Sequence, residues 1–256
     1  MGLTDAQWAV LAPLIEQCRP HAKVPPRHLR RTISAIIWRH DNGAKWRALP
    51  TELGPWWMAA RTSIRWARLG VWERLLGLVQ ERGVQLGMTF LDGTNVRAHR
   101  KAAGAARKGA LRRSATGVRR SAARGAATGQ GLRDADGRGR AIAFRLAPGQ
   151  AHELPHAVPL LDSPPRVPKW VVADRGYASH AFRQHVRDVG ARPAIPPKRN
   201  EEPVACPDYI HNNRNLVERL WARLKEWRAV ATRYEKTARS FMGVLCIAAA
   251  LDWIKG

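Results

Sequence analysis

The chain has 256 residues, 45% of them hydrophobic and 25% charged, which fits a globular protein with a sizeable core. Its 44 Lys+Arg against 20 Asp+Glu give a formal charge of +24, which points to a polyanionic partner and leaves ribosomal, nucleoid and DNA-processing classes open. Cys18, Cys206 and Cys246 lie too far apart for a disulfide framework or a structural zinc site, and the start shows no signal peptide, so a reducing cytoplasm is the expected compartment.

Residues 1–85 read as helices. Thr4 and Gln7 make a capping box ahead of Trp8, Leu11 and Ile15, with Pro13 expected to kink that helix. Leu29, Ile33, Ile36, Ile37 and His40 repeat at helical spacing. A helix around 58–69 carries Arg61, Arg65 and Arg68 as one basic stripe, and Gly70 stops it. Short helices with such a stripe suit a helix-turn-helix DNA reader, and equally a small bundle with a solvated arginine face.

From residue 88 the period changes. "MTFLDGTNV" (88–96) reads as a strand running into an acid and a turn, and "RAIAFRLAPG" (140–149) as a second strand. "HELPHAVPLLD" predicts a short helix, "KWVVADRGYAS" a buried strand ending at Asp174, and "HAFRQHVRDVG" a helix closed by Gly190. A short strand in "ARPAIPP", an amphipathic helix over 213–228 and an apolar helix over 239–254 complete a mixed α/β region. The last of these is too short and too interrupted to span a bilayer. The chain thus divides into a helical region, 1–85, and an α/β domain, 86–256, with a basic insert at about 101–137. Within that insert, residues 101–133 hold nine Lys/Arg and no acid, a composition that cannot order itself alone.

Three carboxylates stand out. Asp92 and Asp174 each follow a buried apolar run, where α/β sheets place their sites. Glu218 shares a helical face with Arg214, Trp221 and Lys225, opposite Leu216, Leu220, Leu224 and Trp227. Hard divalent ions take few carboxylates and leave room for water and phosphate, and a pair of them about 3.5–4 Å apart serves phosphodiester chemistry. From spacing alone, strand-end turn residues and a salt-bridged helix surface explain the same carboxylates. His99, His152 and His156 match no compact zinc motif. Trp221, on the face of Glu218, is a candidate to stack on an exposed base.

"FLDGTNVRAHRKAAGA", "WVVADRGYASHAF" and "NRNLVERLWARLKEWRAVATRYEK" resemble the three catalytic blocks of bacterial insertion-sequence transposases of the Asp-Asp-Glu class, of the insertion-sequence-five type related to insertion-sequence-four. His211, Arg214, Glu218 and Lys225 occupy the four positions of the family's Tyr-x2-Arg-x3-Glu-x6-Lys signature, with His in place of Tyr. "WRALPTELGPWWMAARTSIRWARLGVWERLL" resembles the family's N-terminal helical region, thought to bind the element's ends. The resemblance implies a ribonuclease-H-like fold with Asp92, Asp174 and Glu218 holding two Mg²⁺ or Mn²⁺ ions. It implies nicking at the transposon ends and attack of the freed 3′-hydroxyls on target DNA. Arg214 and Lys225 would contact DNA, with His211 stacking or hydrogen-bonding nearby, and a dimer or larger assembly would form on double-stranded DNA.

One block departs from the family pattern. Where another strand beside that of Asp92 is usual, this chain has "SATGVRRSAARGAATGQGLRDADG" (114–137), without apolar alternation. The strand is therefore expected to be missing, and the segment to be out of frame between two compensating shifts. A catalytically impaired copy that acts only as a DNA-binding protein is the alternative, and a ribosomal or nucleoid-packaging protein is a third reading.

Overall fold

A computed structural model describes residues 3–21, 28–84, 87–103, 128–148, 152–162 and 167–255. The described residues form two compact units, one of 1–79, 96–129 and 224–256, the other of 80–95 and 130–223.

The first unit is mainly helical. Helix α1 (Asp5–Cys18) starts at the Thr4–Gln7 capping box, in which each side chain receives the other's backbone N–H, and it runs through Pro13. Helix α2 (Leu29–Asn42) ends at Gly43, whose φ of 58° suits the left-handed cap. Helix α3 (Trp56–Arg68), α4 (Val71–Gln80) and the short α5 (Arg100–Ala103) follow, and α11 (Ala238–Lys255) comes last. Helices α1 and α3 both contact α11, and α2 packs on α3. Helix α11 is buried on nearly every side, from Phe241 to Trp253, because its sequence has almost no polar face. Trp72 is 1% exposed, donates its indole N–H to the Ser63 carbonyl at 3.2 Å, and lies where a side chain at Gly243 would stand.

The second unit holds a sheet. Strands β1 (Met88–Ala98), β2 (Thr128–Ala135), β3 (Ala141–Pro148), β4 (Trp170–Val172) and β5 (Arg192–Ala194) lie in the order β3-β2-β1-β4-β5. Strands β1, β4 and β5 are mutually parallel. The far end of β1, in the first unit, pairs with the short β6 (Thr232–Arg233). Between β2 and β3 the turn is built by Asp136, wholly buried, which accepts from the backbone N–H groups of Arg138 and Arg140 and from the Arg140 guanidinium. Helix α6 (Leu154–Leu161) contacts β3 and α7 (His180–Asp188), and α7 contacts β5. Ser179 caps α7, whose Phe182 and Val186 enter a core with Leu91, Leu160, Val171, Tyr177 and Ile195. A central mixed sheet in this order, with helices packed on it, is the ribonuclease-H-like class that the resemblance implies.

Four expectations change. The strand expected to be missing is present: β2, at Thr128–Ala135, pairs beside β1, so the backbone there has a partner without the family's usual apolar alternation. Residues 104–127, which take in 114–127 of the segment 114–137 expected to be out of frame, lie outside the described residues. Asp92 does not end its strand, because β1 continues to Ala98 and gains a second partner in β6. The helix expected over 213–228 is shorter: α9 (Asn215–Lys225) follows a short α8 (Asp208–His211) and a 3₁₀ turn over Asn212–Arg214, and a separate short helix, α10, lies at Arg228–Ala231. His211 closes the short α8 and precedes α9, the helix of Glu218. The units also differ from the division at residue 85, since 224–256 joins the N-terminal helices: a long apolar helix finds its matching surface on other helices.

Candidate active site

Strand pairing sets two of the carboxylates. Phe90 is registered with Val172, so Asp92 and Asp174 each come two residues after a paired position, Asp92 inside β1 and Asp174 just past the end of the neighbouring parallel strand β4. Asp174 caps the 3₁₀ turn Arg175–Tyr177, its Oδ1 accepting from the Gly176 N–H at 2.8 Å. Its Oδ2 lies 3.9 Å from Arg214 Nη1. The other nitrogen of that guanidinium, Nη2, donates to Glu218 Oε1 at 3.0 Å. One arginine thus joins the second and third carboxylates of the sequence reading. Glu218 sits in the first turn of α9, where the helix dipole favours an anion.

The donor set is all carboxylate oxygen, the chemistry that suits Mg²⁺ or Mn²⁺. Among the described residues no three His, Cys, Asp or Glu are gathered closely enough to ligate one ion. The Arg214 guanidinium is instead the cation that Asp174 and Glu218 share.

A fourth carboxylate, which the sequence reading passed over, belongs to this neighbourhood. Glu153 precedes α6, and its carboxylate stands where a side chain at Gly93 would be. Next to it is the phenol of Tyr177, 1% exposed. Burial pushes the Tyr177 pKa far up, and the carboxylates of Glu153, Asp92 and Asp174 add to the shift, so the ring stays neutral. Its hydroxyl has no partner of full hydrogen-bond geometry, although Glu153 is close enough to favour the protonated form. In "APGQAHELP" (147–155) the acid, Glu153, is the residue that reaches the site. Only the strand-to-helix path makes that visible.

Comparison with known families decides the class. Two models described as "Transposase DDE domain" match residues 86–204 and 171–255, and one described as "Putative transposase of IS4/5 family" matches 3–76. The chain belongs to the DDE transposases. A protein of Sinorhizobium fredii named y4sN and marked uncharacterized is 33% identical over 106 residues, 41% of this chain and 84% of that protein. The "Putative transposase for insertion sequence element IS6501" of Brucella ovis is 28% identical over 124 residues, 47% of this chain and 93% of that protein. For the corresponding IS402 protein of Burkholderia cepacia the figures are 31% over 113 residues, 40% of this chain and 52% of that protein. Among solved structures, a piggyBac transposase synaptic complex with hairpin DNA aligns at a TM-score of 0.47 and 9% identity, over 95% of this chain and 70% of that one.

In this transposase the DNA-contact candidates fare unequally. Trp221 is corrected: it is 5% exposed and its ring centroid lies 6.3 Å from that of Phe144, so it is core and offers no face to a base. The buried side of α9 runs through Val217, Leu220, Trp221 and Leu224, which rotates the packed face toward Trp221 and away from half-buried Leu216. His211 is half-buried, its Nε2 enclosed and without a protein partner. Lys225 is half-buried at the end of α9, two turns beyond Glu218. In the helical unit, Arg61, Arg65 and Arg68 are all exposed on α3, opposite the buried Ala59, Ala60, Ser63, Trp66 and Ala67, and Arg61 lies over the half-exposed Trp57 ring at 5.6 Å. The histidines of the discarded zinc reading do other things: His156 accepts from Arg145 Nε at 3.2 Å and His99 packs against Tyr234. No helix among the described residues is long and apolar enough to cross a membrane.

Proposed function

We propose that this transposase nicks double-stranded DNA at the ends of its insertion sequence and joins the freed 3′-hydroxyls to target DNA. Asp92, Asp174 and Glu218 would hold two Mg²⁺ or Mn²⁺ ions. The observation that carries this is the Arg214 guanidinium bridging Asp174 and Glu218, with Asp92 and Asp174 each two residues beyond the paired Phe90 and Val172. Divalent ions at such a site would supply a nucleophile at neutral pH and charge stabilisation of the leaving oxygen.

The chain's own groups do the rest. The Gly176 N–H fixes the Asp174 carboxylate, leaving its second oxygen turned to the site. Arg214, drawn from its carboxylates by a phosphate, would hold a non-bridging oxygen through two N–H groups. Lys225 and His211, flanking Glu218 on either side in sequence, would extend that grip along the backbone. Arg61, Arg65 and Arg68 present a basic face suited to end recognition, and the charge of +24 draws in the polyanion. Two ends must be held together for joining, so a homodimer or larger assembly on DNA is part of the proposal.

The test is strand cleavage of labelled DNA from both flanks of the gene, with Mg²⁺ or Mn²⁺, comparing wild type with Asp92→Asn. Cleavage that needs the metal and vanishes in the variant supports the reading. Salt-sensitive binding without cleavage by wild type overturns the catalytic part and leaves a DNA-binding protein.

A further inference from the structure

We propose that the turn Lys198–Glu201 is a DNA-backbone contact at the sheet edge that bears Asp174. Lys198 and Arg199 would touch phosphates, and the buried pair Arg183–Glu201 would position them. The inference deepens the function proposed above and rests on it, because the phosphates belong to the same DNA.

Placement comes first. Strands β4 and β5 are parallel, with Val172 registered on Ala194, and the Ala173 N–H donates to the Ala194 carbonyl at 3.3 Å. The chain therefore leaves β5 at the same end of the sheet at which β4 runs into Asp174. Parallel α/β sheets bind ligands outside that end of their strands. The exit from β5 cannot continue the ladder, since Pro196 and Pro197 have no N–H to donate. It turns instead, with the Glu201 N–H donating to the Lys198 carbonyl at 3.1 Å.

A buried cation holds that turn. Arg183, on α7, is 5% exposed. Its Nη2 donates to the carbonyls of Ile195 and Pro196 at 3.4 and 3.2 Å and to Glu201 Oε2 at 3.1 Å. The same Oε2 accepts from the Lys198 N–H at 3.0 Å, so one carboxylate ties both ends of the turn to one guanidinium. An apolar side chain would fill the place of Arg183 without the desolvation cost of a charge. What the guanidinium adds is a fixed course for residues 195–201. With Glu201 taken up by Arg183, the tip presents Lys198, Arg199 and Asn200 to solvent, and Glu202 is the exposed acid beside them. Arg175, directly after Asp174, is exposed at the same edge. Phosphate contacts from such side chains fix where a duplex lies and carry no sequence information.

The experiment measures binding of the full chain to two labelled duplexes, one from a flank of the gene and one of unrelated sequence, over a range of salt. Wild type is compared with Lys198→Ala/Arg199→Ala. The control, Lys169→Ala/Arg192→Ala, removes two exposed cations at the starts of β4 and β5, the opposite edge of the sheet. The turn variant is expected to bind both duplexes more weakly, with the slope of log affinity against log salt reduced by about 2. The control should keep the wild-type slope. Glu201→Ala should weaken binding although it removes a negative charge. Glu201→Gln loses the same charge but keeps an accepting oxygen, and should bind as wild type or tighter.

A wild-type slope in the turn variant, or an equal loss in the control, overturns the contact and leaves the proposed function standing. A loss confined to the flank duplex would make the turn a reader of sequence and overturns the backbone assignment. Wild-type or tighter binding by Glu201→Ala overturns the positioning role. Wild-type protein that binds neither duplex removes the contact and the proposed function together. Should Glu201→Ala fail to fold, Glu201→Asp replaces it at unchanged charge, with weaker binding expected and unchanged binding overturning the positioning role.

Discussion

Arg214 reaches Glu218 one helical turn further on at 3.0 Å, and the same guanidinium lies 3.9 Å from Asp174. The side chains are 30%, 61% and 40% exposed, so water screens the pairs and their contribution to stability is small. Arg214→Ala is therefore expected to cost at most about 1 kcal/mol of stability. Loss of the charged donor that Arg214 is proposed to supply at the reacting phosphate should lower cleavage roughly a hundredfold. Urea unfolding and cleavage of end DNA, measured on the same preparation, separate the two. A large stability loss with proportionate activity loss would make Arg214 a structural residue.

Trp221 gives the opposite pattern. It is 5% exposed beside Phe144, so Trp221→Ala should cost about 3–5 kcal/mol through the cavity it leaves. Trp221→Phe should cost less, and DNA affinity of the folded fraction should not change. A chemical-denaturation series on the two variants checks this, and a near-neutral Trp221→Ala would contradict the burial.

His40 links the helical unit to pH. Burial, and then the charge of Arg39, hold its pKa well below the ordinary 6.5. Arg39 Nη1 lies 2.9 Å from His40 Nδ1, and Arg39 pairs with buried Glu235. The neutral ring therefore accepts at Nδ1 and turns Nε2 toward Ser63 Oγ at 3.5 Å. Folded His40 resists a proton that the unfolded chain takes up below about pH 6.5, so the unfolded state binds more protons there and stability falls with falling pH. Thermal midpoints between pH 8 and pH 5 should drop with acidification, and His40→Gln should flatten the lower part of that curve. An unchanged slope in the variant would assign the pH dependence elsewhere.

The three thiols should react in two classes. Cys18 is buried, and burial raises its pKa to about 11, with Arg74 opposing; Cys246 is also buried and raised well above 9.0. Cys206 is only half-buried, with a pKa raised by burial and then by Asp208. Since the thiolate is the reactive form, one thiol should titrate with a chromogenic disulfide in the native protein, faster as pH rises. All three should titrate in denaturant. Two or more fast native thiols would show an opened helical unit.

Much of the fold was legible because local patterns were strong. The Thr4–Gln7 box, the strand of Val171 and Val172, the Ser179-capped helix closed by Gly190 and the apolar α11 all appear where periodicity and turn chemistry put them. Strand β2 was missed because its sequence, "TGQGLRDA", has neither β-branched density nor alternation. Its position comes from the partners on both sides and from the Asp136 turn that follows it, not from propensity. Trp221 was misplaced because a helical wheel gives spacing but not which arc faces the core, and Val217 tips the buried arc toward it.

The sequence by itself determined the family blocks, the carboxylates Asp92, Asp174 and Glu218, and the overwhelming positive charge, since each is a matter of residue identity and order. Tertiary structure alone decided which groups meet. Parallel pairing of β1 with β4 ends at Phe90 and Val172, two residues before Asp92 and Asp174, and one arginine bridges Asp174 to Glu218. A bare Gly93 leaves room for the carboxylate of Glu153, sixty residues further along the chain. Such meetings depend on strand register and on the packing of distant segments, and no local pattern in the chain encodes either.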